Sequence, residues 1–304
     1  AAMANASSKK VIYAALAGNA LIAVTKFVAA GITGSSAMLA EGIHSVVDTG
    51  NQGLMLHGTA RAKKPADDKH PFGYGRELYF WAFVVAILIF AVGAGVSLYE
   101  GVVKVLHPHP VTNPVVNYVV LLLAMGFEGW AFSVAYREFR QIKGERGIVQ
   151  AVREARDPTV ITVLFEDTAA LSGLVVAFVG VGTAQLFGWP VMDGVASIAI
   201  GVILGLTAFF LAYETKGLLV GESALPHVTA GIRGAVREEP DIERLNQVLT
   251  LQLGPNDVLA TVSVEVADGL PTGRIERAVQ RLDTAIKRAQ PEVTRVYIEA
   301  ATAR

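Results

Sequence analysis

Ionisable residues are lined up on one face of an otherwise apolar segment, SAMLAEGIHSVVDTGNQGLMLHG. Glu41, His44 and Asp48 are three and four residues apart, and Asn51 extends the same row. On an α-helix this spacing places the side chains along one stripe. A single buried polar group would indicate a contact between helices. Because an acid at mid-bilayer costs about 2.5–3.5 kcal/mol to insert, three ionisable residues favour a functional site.

Two adjacent acids, Glu166 and Asp167, interrupt a second apolar segment, VITVLFEDTAALSGLVVAF. Neighbouring residues of a helix point about 100° apart. We therefore expect one acid to face the row on the first segment and the other to meet a different polar group or a proton path. The alternative places both near a membrane surface, at Asp157-Pro158, where an acid costs less to insert.

These residues could hold a divalent metal ion. His44, Asp48 and Glu166 offer one nitrogen and two kinds of carboxylate, which suit Zn²⁺, and an exchanging zinc site keeps an open position. Asp167 is a candidate for the fourth ligand. Such ligands bind metal when deprotonated, so protons would expel the ion, with His44 titrating nearest neutral pH. Mn²⁺, Fe²⁺, Co²⁺ and Ni²⁺ also accept mixed nitrogen and oxygen ligands.

The elements that carry these residues have the composition of membrane-spanning helices. Hydrophobic residues make up 52% of the 304-residue chain and charged residues 17%, whereas a soluble domain has about 25% charged residues. Lys26, in the first span, is expected to snorkel or to pair with an acid. A span needs about 20 residues, and six segments qualify: 11–31, 35–59, 78–100, 114–136, 160–187 and 191–213.

Basic residues cluster in two connections, after the second and the fourth span. The connections at 33–35 and 188–190 have none. Because Lys and Arg favour the cytoplasmic side, we expect the N-terminus, both basic loops and the C-terminus to be cytoplasmic. The basic residues are Arg61, Lys63, Lys64, Lys69 and Arg76 in the first loop and Arg137, Arg140, Lys143, Arg146, Arg153 and Arg156 in the second.

From residue 216 the pattern changes to that of a small soluble unit. A helix over 226–236 precedes two alternating segments, with Leu249, Leu251 and Leu253 in the first, joined by turn residues at 254–257 into a hairpin. A helix with Thr272 as N-cap and a last strand near 296–298 follow. The predicted domains are therefore a six-helix transmembrane domain, 1–215, and a cytoplasmic α+β, ferredoxin-like domain, 216–304.

Composition also excludes several functions. The net charge of -1 argues against nucleic-acid binding. The chain has no cysteine, so thiolate metal sites and disulfides are excluded. It has no HExxH string of a metalloprotease, and we expect neither an enzyme nor an organic cofactor. Ala1 to Lys10 shows no cleavable signal peptide.

Several strings together resemble the cation diffusion facilitator family. They are AEGIHSVVD in the second span, HPFGYGR at 70–76 and the layout of six spans with an α/β tail. Within the family, AEGIHSVVDTGNQG, HPHP and RDPTVITVLFEDTAA resemble the branch of the eukaryotic mitochondrial zinc transporter. The resemblance implies a homodimer in the lipid bilayer that exchanges Zn²⁺ or a similar ion for protons by alternating access.

The family's central site takes two ligands from the second span and two from the fifth, each pair four residues apart. His44 and Asp48 match the first pair. Glu166 stands where the family has His or Asp, and Ala170 where its second acid belongs. The resemblance thus implies three ligands, completed by Asp167 or water.

Two further metal sites of the family are expected to be weak or absent. Asp67 and His70 match ligands in the loop after the second span, but Tyr74 stands where a histidine often does. In the tail, Asn246, Ser263 and Glu299 occupy the places of metal-binding residues. We expect a tail that dimerises without a zinc cluster.

The sequence therefore predicts a secondary active exporter of a divalent metal, most readily Zn²⁺, in a prokaryotic plasma membrane. One alternative is an exporter of organic cations that uses Glu166 as its membrane acid. Another is a membrane scaffold or sensor that signals through its tail. His44 favours the metal, because an organic cation does not require an imidazole nitrogen.

Overall fold

The structure, a computed structural model, describes residues 19–301. The chain divides into two compact units. The first comprises the described residues up to 59 together with 80–153 and 158–215. The second comprises 60–79, 154–157 and the described residues from 216 onward.

Helices make up the first unit. The tight turn between the first two has Gly34 at φ 66°, a left-handed conformation that favours glycine. The helices are α1 (Asn19–Thr33), α2 (Ser36–Ala62), α3 (Glu77–Leu106), α4 (Pro114–Lys143), α5 (Ile148–Arg153), α6 (Pro158–Phe187) and α7 (Val191–Val220), of which α2 and α7 continue into the second unit.

The predicted spans fall on α1, α2, α3, α4, α6 and α7. Helices α3, α4, α6 and α7 are each long and apolar enough to cross a membrane, and α1 is a shorter apolar helix. The predicted start of the first span, at residue 11, lies outside the described residues. Helix α2 has 27 residues, about 40 Å at 1.5 Å per residue, but its polar row lowers its hydropathy.

Some helices are longer than the spans predicted from the sequence. Helices α4 and α7 continue seven residues beyond the predicted ends at 136 and 213, because a helix extends into polar sequence after the apolar run has ended. The short helix α5, inside the second basic connection, was not predicted. Helix α3 also contains a π-helical segment, Ile89–Ala94. Such segments are rare and often occur at functional sites.

The second unit contains α8 (Pro226–Glu238), β1 (Ile242–Gly254), β2 (Asp257–Val266), α9 (Thr272–Ala289) and β3 (Val293–Ala300). The predicted order of helix, two strands, helix and strand is confirmed. Strands β1 and β2 form an antiparallel hairpin, and β3 lies parallel to β2. The fold class, a helical membrane domain followed by a small α+β domain, is therefore confirmed.

The core of the second unit lies between the sheet and its two helices. Val258, Ala260, Val262 and Val264 of β2 pack with Val228 and Ile232 of α8 and with Leu282 and Ile286 of α9. The alternation predicted for β2 is therefore confirmed from Val258 to Val264, whose even-numbered residues face the helices.

Two details of this unit differ from the sequence prediction. Leu249 does not face the core but is 56% exposed, because β1 has register shifts near Leu245 and Gln252 and contributes Leu245 and Val248 to the core instead. The N-cap of α9 is Pro271 rather than Thr272, since the extended backbone of Pro271 (φ -62°, ψ 144°) precedes the first helical residue.

The two leucines at positions 282 and 249 provide a test of this core. Leu282 is fully buried and Leu249 is exposed. We expect Leu282→Ala to destabilise the second unit by about 2–5 kcal/mol, because it leaves a cavity. Leu249→Ala should cost clearly less than Leu282→Ala, because it leaves no cavity in this core. Hydrogen exchange of the β2 amides in the full chain measures both, and equal effects would contradict this core.

Candidate functional site

The centre of the first unit contains the pair His44 and Asp48, one turn apart on α2. His44 Nδ1 lies 3.3 Å from Asp48 Oδ1. His44 is 1% exposed, and within the described part of the chain neither of its ring nitrogens has a hydrogen-bond partner. Burying a polar group without a partner is costly. An imidazole held beside a carboxylate in this way is suited to a cationic ligand.

Glu166, on α6, is hydrogen-bonded to a residue of the same row on α2. The side-chain amide of Asn51 donates a 2.7 Å hydrogen bond to Glu166 Oε1, and both residues are buried. Asn51 follows Asp48 by three residues on α2, so this bond places the Glu166 carboxylate beside the row. The sequence marked Asn51 as part of the stripe but did not reveal its partner.

Asp167 has different surroundings. It is partly buried, its Oδ2 atom has no hydrogen-bond partner among residues 19–301, and its charge interacts with that of Glu128 on α4. The two adjacent acids thus have different neighbours. Glu166 belongs to the α2 row, whereas Asp167 interacts electrostatically with a carboxylate of another helix.

The candidate ligands do not form a closed metal site in this conformation. No group of three His, Asp or Glu side chains in the part of the chain that the structure describes is arranged to hold an ion. One reason is that Asn51 occupies Glu166 Oε1. A cation bound by His44, Asp48 and Glu166 would replace this amide as a partner of Glu166. Ala170, where a fourth ligand would stand, is buried.

A buried ion pair lies one turn from His44. Lys26 Nζ of α1 is 3.0 Å from Glu41 Oε2 and donates a 2.8 Å hydrogen bond to Ser45 Oγ. Both charged side chains are fully buried. Lys26 pairs with an acid rather than snorkelling. The sequence did not predict which acid, because the two residues are on different helices.

The end of the bundle at the α1–α2 turn has its own polar cluster. Asp193, at the start of α7, accepts hydrogen bonds from the Ser35 hydroxyl and from the backbone and hydroxyl of Ser36. These bonds cap the beginning of α2, which leaves backbone N–H groups without helical partners. Lys104 Nζ lies 3.7 Å from Asp193 and donates to the Gly34 carbonyl oxygen.

In the loop after α2, the candidate ligand Asp67 already accepts hydrogen bonds from the same loop. Asp67 accepts hydrogen bonds from the Tyr74 hydroxyl, at 2.7 Å, and from the backbone N–H groups of Lys69 and His70. The Tyr74 bond and the backbone bonds lower the pKa of Asp67, and the bond to Asp67 raises the pKa of Tyr74. The His70 ring packs against that of Tyr74 with centroids 4.2 Å apart.

Comparison with known proteins identifies the family of the chain. The family model of the cation efflux transmembrane domain matches residues 12–220. The human proton-coupled zinc antiporter SLC30A9, mitochondrial, is 32% identical over 95% of this chain and 51% of its own length, and the mouse protein 31% over 96% and 52%. The cation-efflux pump FieF of Escherichia coli is 25% identical over 91% of this chain and 87% of its own.

The chain spans about half the length of the SLC30A9 proteins that it matches. The predicted family and its branch are confirmed by these matches. Together with the four apolar helices that are long enough to cross a membrane, they identify an integral, multi-pass membrane protein. The family match covers α1 to α7, including Lys26, the α2 row and Glu166, and the chain therefore belongs to the cation efflux family.

Proposed function

We propose that the chain exports a divalent metal cation, Zn²⁺, in exchange for protons by alternating access. The observation that carries this proposal is His44. It is buried in a membrane helix beside Asp48, and its two ring nitrogens have no hydrogen-bond partner in the described residues. The SLC30A9 relatives are named proton-coupled zinc antiporters, which supports the same substrate and coupling.

In this proposal His44, Asp48 and Glu166 bind the ion, and Asp167 or water completes the shell. Zinc takes nitrogen and oxygen ligands in tetrahedral geometry and tolerates an open position. The hydrogen bond between Asn51 and Glu166 then belongs to the metal-free state. Glu166 exchanges the Asn51 amide for the ion, so that loading couples α2 to α6 through a stronger, charged interaction.

Protons and metal compete for the same atoms. A protonated imidazole or carboxyl group cannot coordinate zinc, so each ion that binds displaces protons from its ligands. Zinc affinity therefore rises with pH, and a compartment of lower pH favours release. The acids are inside apolar helices, where a charge without a counter-charge is costly. This cost favours either the metal-loaded or the protonated form over an empty, charged site.

The alternative functions have less support. An exporter of organic cations needs a membrane acid such as Glu166 but no imidazole, and it leaves the unpartnered His44 nitrogens unexplained. A scaffold or sensor without transport does not require the row of ionisable residues on α2. The loop of Asp67 and His70 is not proposed as a strong metal site, since its carboxylate already accepts bonds from Tyr74 and the backbone.

We also propose that two copies associate through the C-terminal domain, 216–304, while the transmembrane domain, 1–215, transports. One face of the sheet packs on helices, whereas the other carries Leu249, Thr261 and Tyr297 in one row across the three strands. Leu249 and Tyr297 are each 56% exposed. An exposed apolar row on an open sheet face fits burial against a second copy. The tail positions Asn246, Ser263 and Glu299 offer no imidazole for a zinc cluster.

The proposal also covers the orientation of the chain and the membrane in which it resides. The two basic connections support cytoplasmic termini, which makes export the direction of metal movement. A prokaryotic plasma membrane remains a prediction from the sequence. The SLC30A9 relatives do not support this membrane, because they are named as mitochondrial proteins. The FieF relatives are bacterial.

Zinc flux into proteoliposomes under an imposed pH gradient tests the function. We expect gradient-dependent Zn²⁺ uptake by the unaltered chain and a loss of at least about tenfold in His44→Ala, because the imidazole ligand is removed. His57 lies further along α2, with its ring edge-on to Trp81, and is the matched control. His57→Ala should retain most of the flux.

Mn²⁺ and Fe²⁺ flux in the same vesicles ranks the metals. If correctly inserted, folded protein moved no metal, or if His44→Ala transported as well as the unaltered chain, the proposed function would be wrong. Flux of an organic cation that survives His44→Ala would instead support the organic-cation exporter.

Light scattering of the purified full chain tests the association. We expect a protein mass of twice 32.2 kDa. Leu249→Glu with Tyr297→Glu should reduce it to that of one chain, because the charges disrupt the apolar row. Gln280→Glu, which adds an exposed charge on α9, is the control. A dimer that persists in the Leu249 and Tyr297 variant would place the interface elsewhere.

A further inference from the structure

The ammonium group of Lys26 lies within a set of oxygen atoms that resembles a cation site. Its partners are a carboxylate oxygen of Glu41, at 3.0 Å, and the hydroxyl of Ser45, at 2.8 Å. Lys26 and Glu41 are fully buried, and Ser45 is 4% exposed. All three lie in the first unit, inside helices that belong to the membrane domain. Carboxylate and hydroxyl oxygens are also ligands of divalent cations.

The position of this group relates it to the metal row. Glu41 precedes His44 by three residues, which places it about 4.5 Å further along α2, toward the α1–α2 turn. An ion that leaves His44 and Asp48 in that direction passes Glu41 first. Beyond it lies the cluster of Asp193, Ser35 and Ser36 at the beginning of α2.

Glu41 has one oxygen atom that Lys26 does not use. Its Oε1 is buried and has no hydrogen-bond partner within residues 19–301. This oxygen packs against Gly173 of α6, where a Cβ atom would overlap with it. Glycine at 173 thus leaves room for the carboxylate, and the nearby His44 nitrogens are likewise unpartnered. An ion pair that served only to hold α1 to α2 would not require buried polar atoms without hydrogen-bond partners beside it.

We propose that Glu41 and Ser45 form a second divalent-cation site, between His44 and the α1–α2 turn, which the ammonium of Lys26 fills until a metal ion replaces it. This inference rests on the proposed transport function and adds a site to its route. The side chain of Lys26, on α1, then neutralises the charge of Glu41 while no metal ion is bound.

Lys26 also influences the row electrostatically. Its charge acts on His44 and Asp48 of α2 and on Glu128 of α4. The other charged groups nearby are Glu166 and Asp167 of α6, which act on Asp48. While Lys26 is paired with Glu41, its repulsion of a metal ion at His44 is largely offset. Without Glu41 the ammonium would oppose metal binding.

Zinc titration of the purified full chain by calorimetry tests the inference through a double-mutant cycle. The unaltered chain should bind a second Zn²⁺ weakly, because the ion has to displace Lys26, and Lys26→Met should bind it about tenfold or more tightly, because Glu41 has lost its cation. Glu41→Gln should bind no second ion and weaken zinc binding at His44 by about tenfold or more. The double variant, which has neither charge, should also bind no second ion, and its affinity at His44 should return to that of the unaltered chain.

Thr33→Val is the matched control. It removes another buried contact of α1, the hydrogen bond from Thr33 to Asn117 of α4 at 2.9 Å, and should leave zinc binding unchanged. A merely structural role of Lys26 and Glu41 predicts the same number of zinc ions in the unaltered chain, in Lys26→Met and in Glu41→Gln. That result, in folded protein, would overturn the inference.

A buried carboxylate without its partner could prevent Lys26→Met from folding. Glu41→Gln then decides, because loss of the second zinc ion supports the site, whereas a second ion bound as in the unaltered chain overturns it. Failure of the proposed function is distinguishable, because in that case the unaltered chain and His44→Ala would bind zinc equally, whatever the behaviour of the Lys26 variants.

Discussion

A charge inside the hydrocarbon layer needs a counter-charge, a hydrogen-bond partner or a proton, because no water is available to solvate it. Three pairs of residues in the first unit offset part of this cost. Lys26 pairs with Glu41, the Asn51 amide binds Glu166, and Asp48 lies beside His44. Each of these interactions involves α2. The polar row lowers the apolarity of this helix, and the helix remains buried because its neighbours α1 and α6 supply the partners.

The same constraint explains why such a site can exchange one cation for another. Metal ion, proton and ammonium each offset the negative charge of the row, so removing one without replacing it is costly. In the proposed cycle Zn²⁺ replaces protons on His44, Asp48 and Glu166, and it also replaces the Asn51 amide as a partner of Glu166. At Glu41 it replaces Lys26. Transport then requires no covalent chemistry, since the helices only have to expose the row to one side of the membrane at a time.

Local sequence patterns predicted much of this structure. Apolar length predicted the helices, spacing predicted the α2 row, and alternation with turn residues predicted the hairpin. The partners of Lys26 and Glu166 could not be predicted, because they are residues distant in sequence that only helix packing brings together. The outward position of Leu249 was also missed, since register shifts in β1 change which face a residue occupies. Likewise, composition alone did not reveal the π-helical segment of α3.

The most direct test of the exchange is the number of protons released when zinc binds to the full chain, measured by calorimetry in buffers of different ionisation enthalpy. The account predicts release of about one proton or more per zinc ion near neutral pH, and less release in Glu166→Gln, whose side chain carries no exchangeable proton. Zinc binding that released no protons at any pH between 6 and 8 would contradict the central claim that metal and protons compete for the same buried ligands.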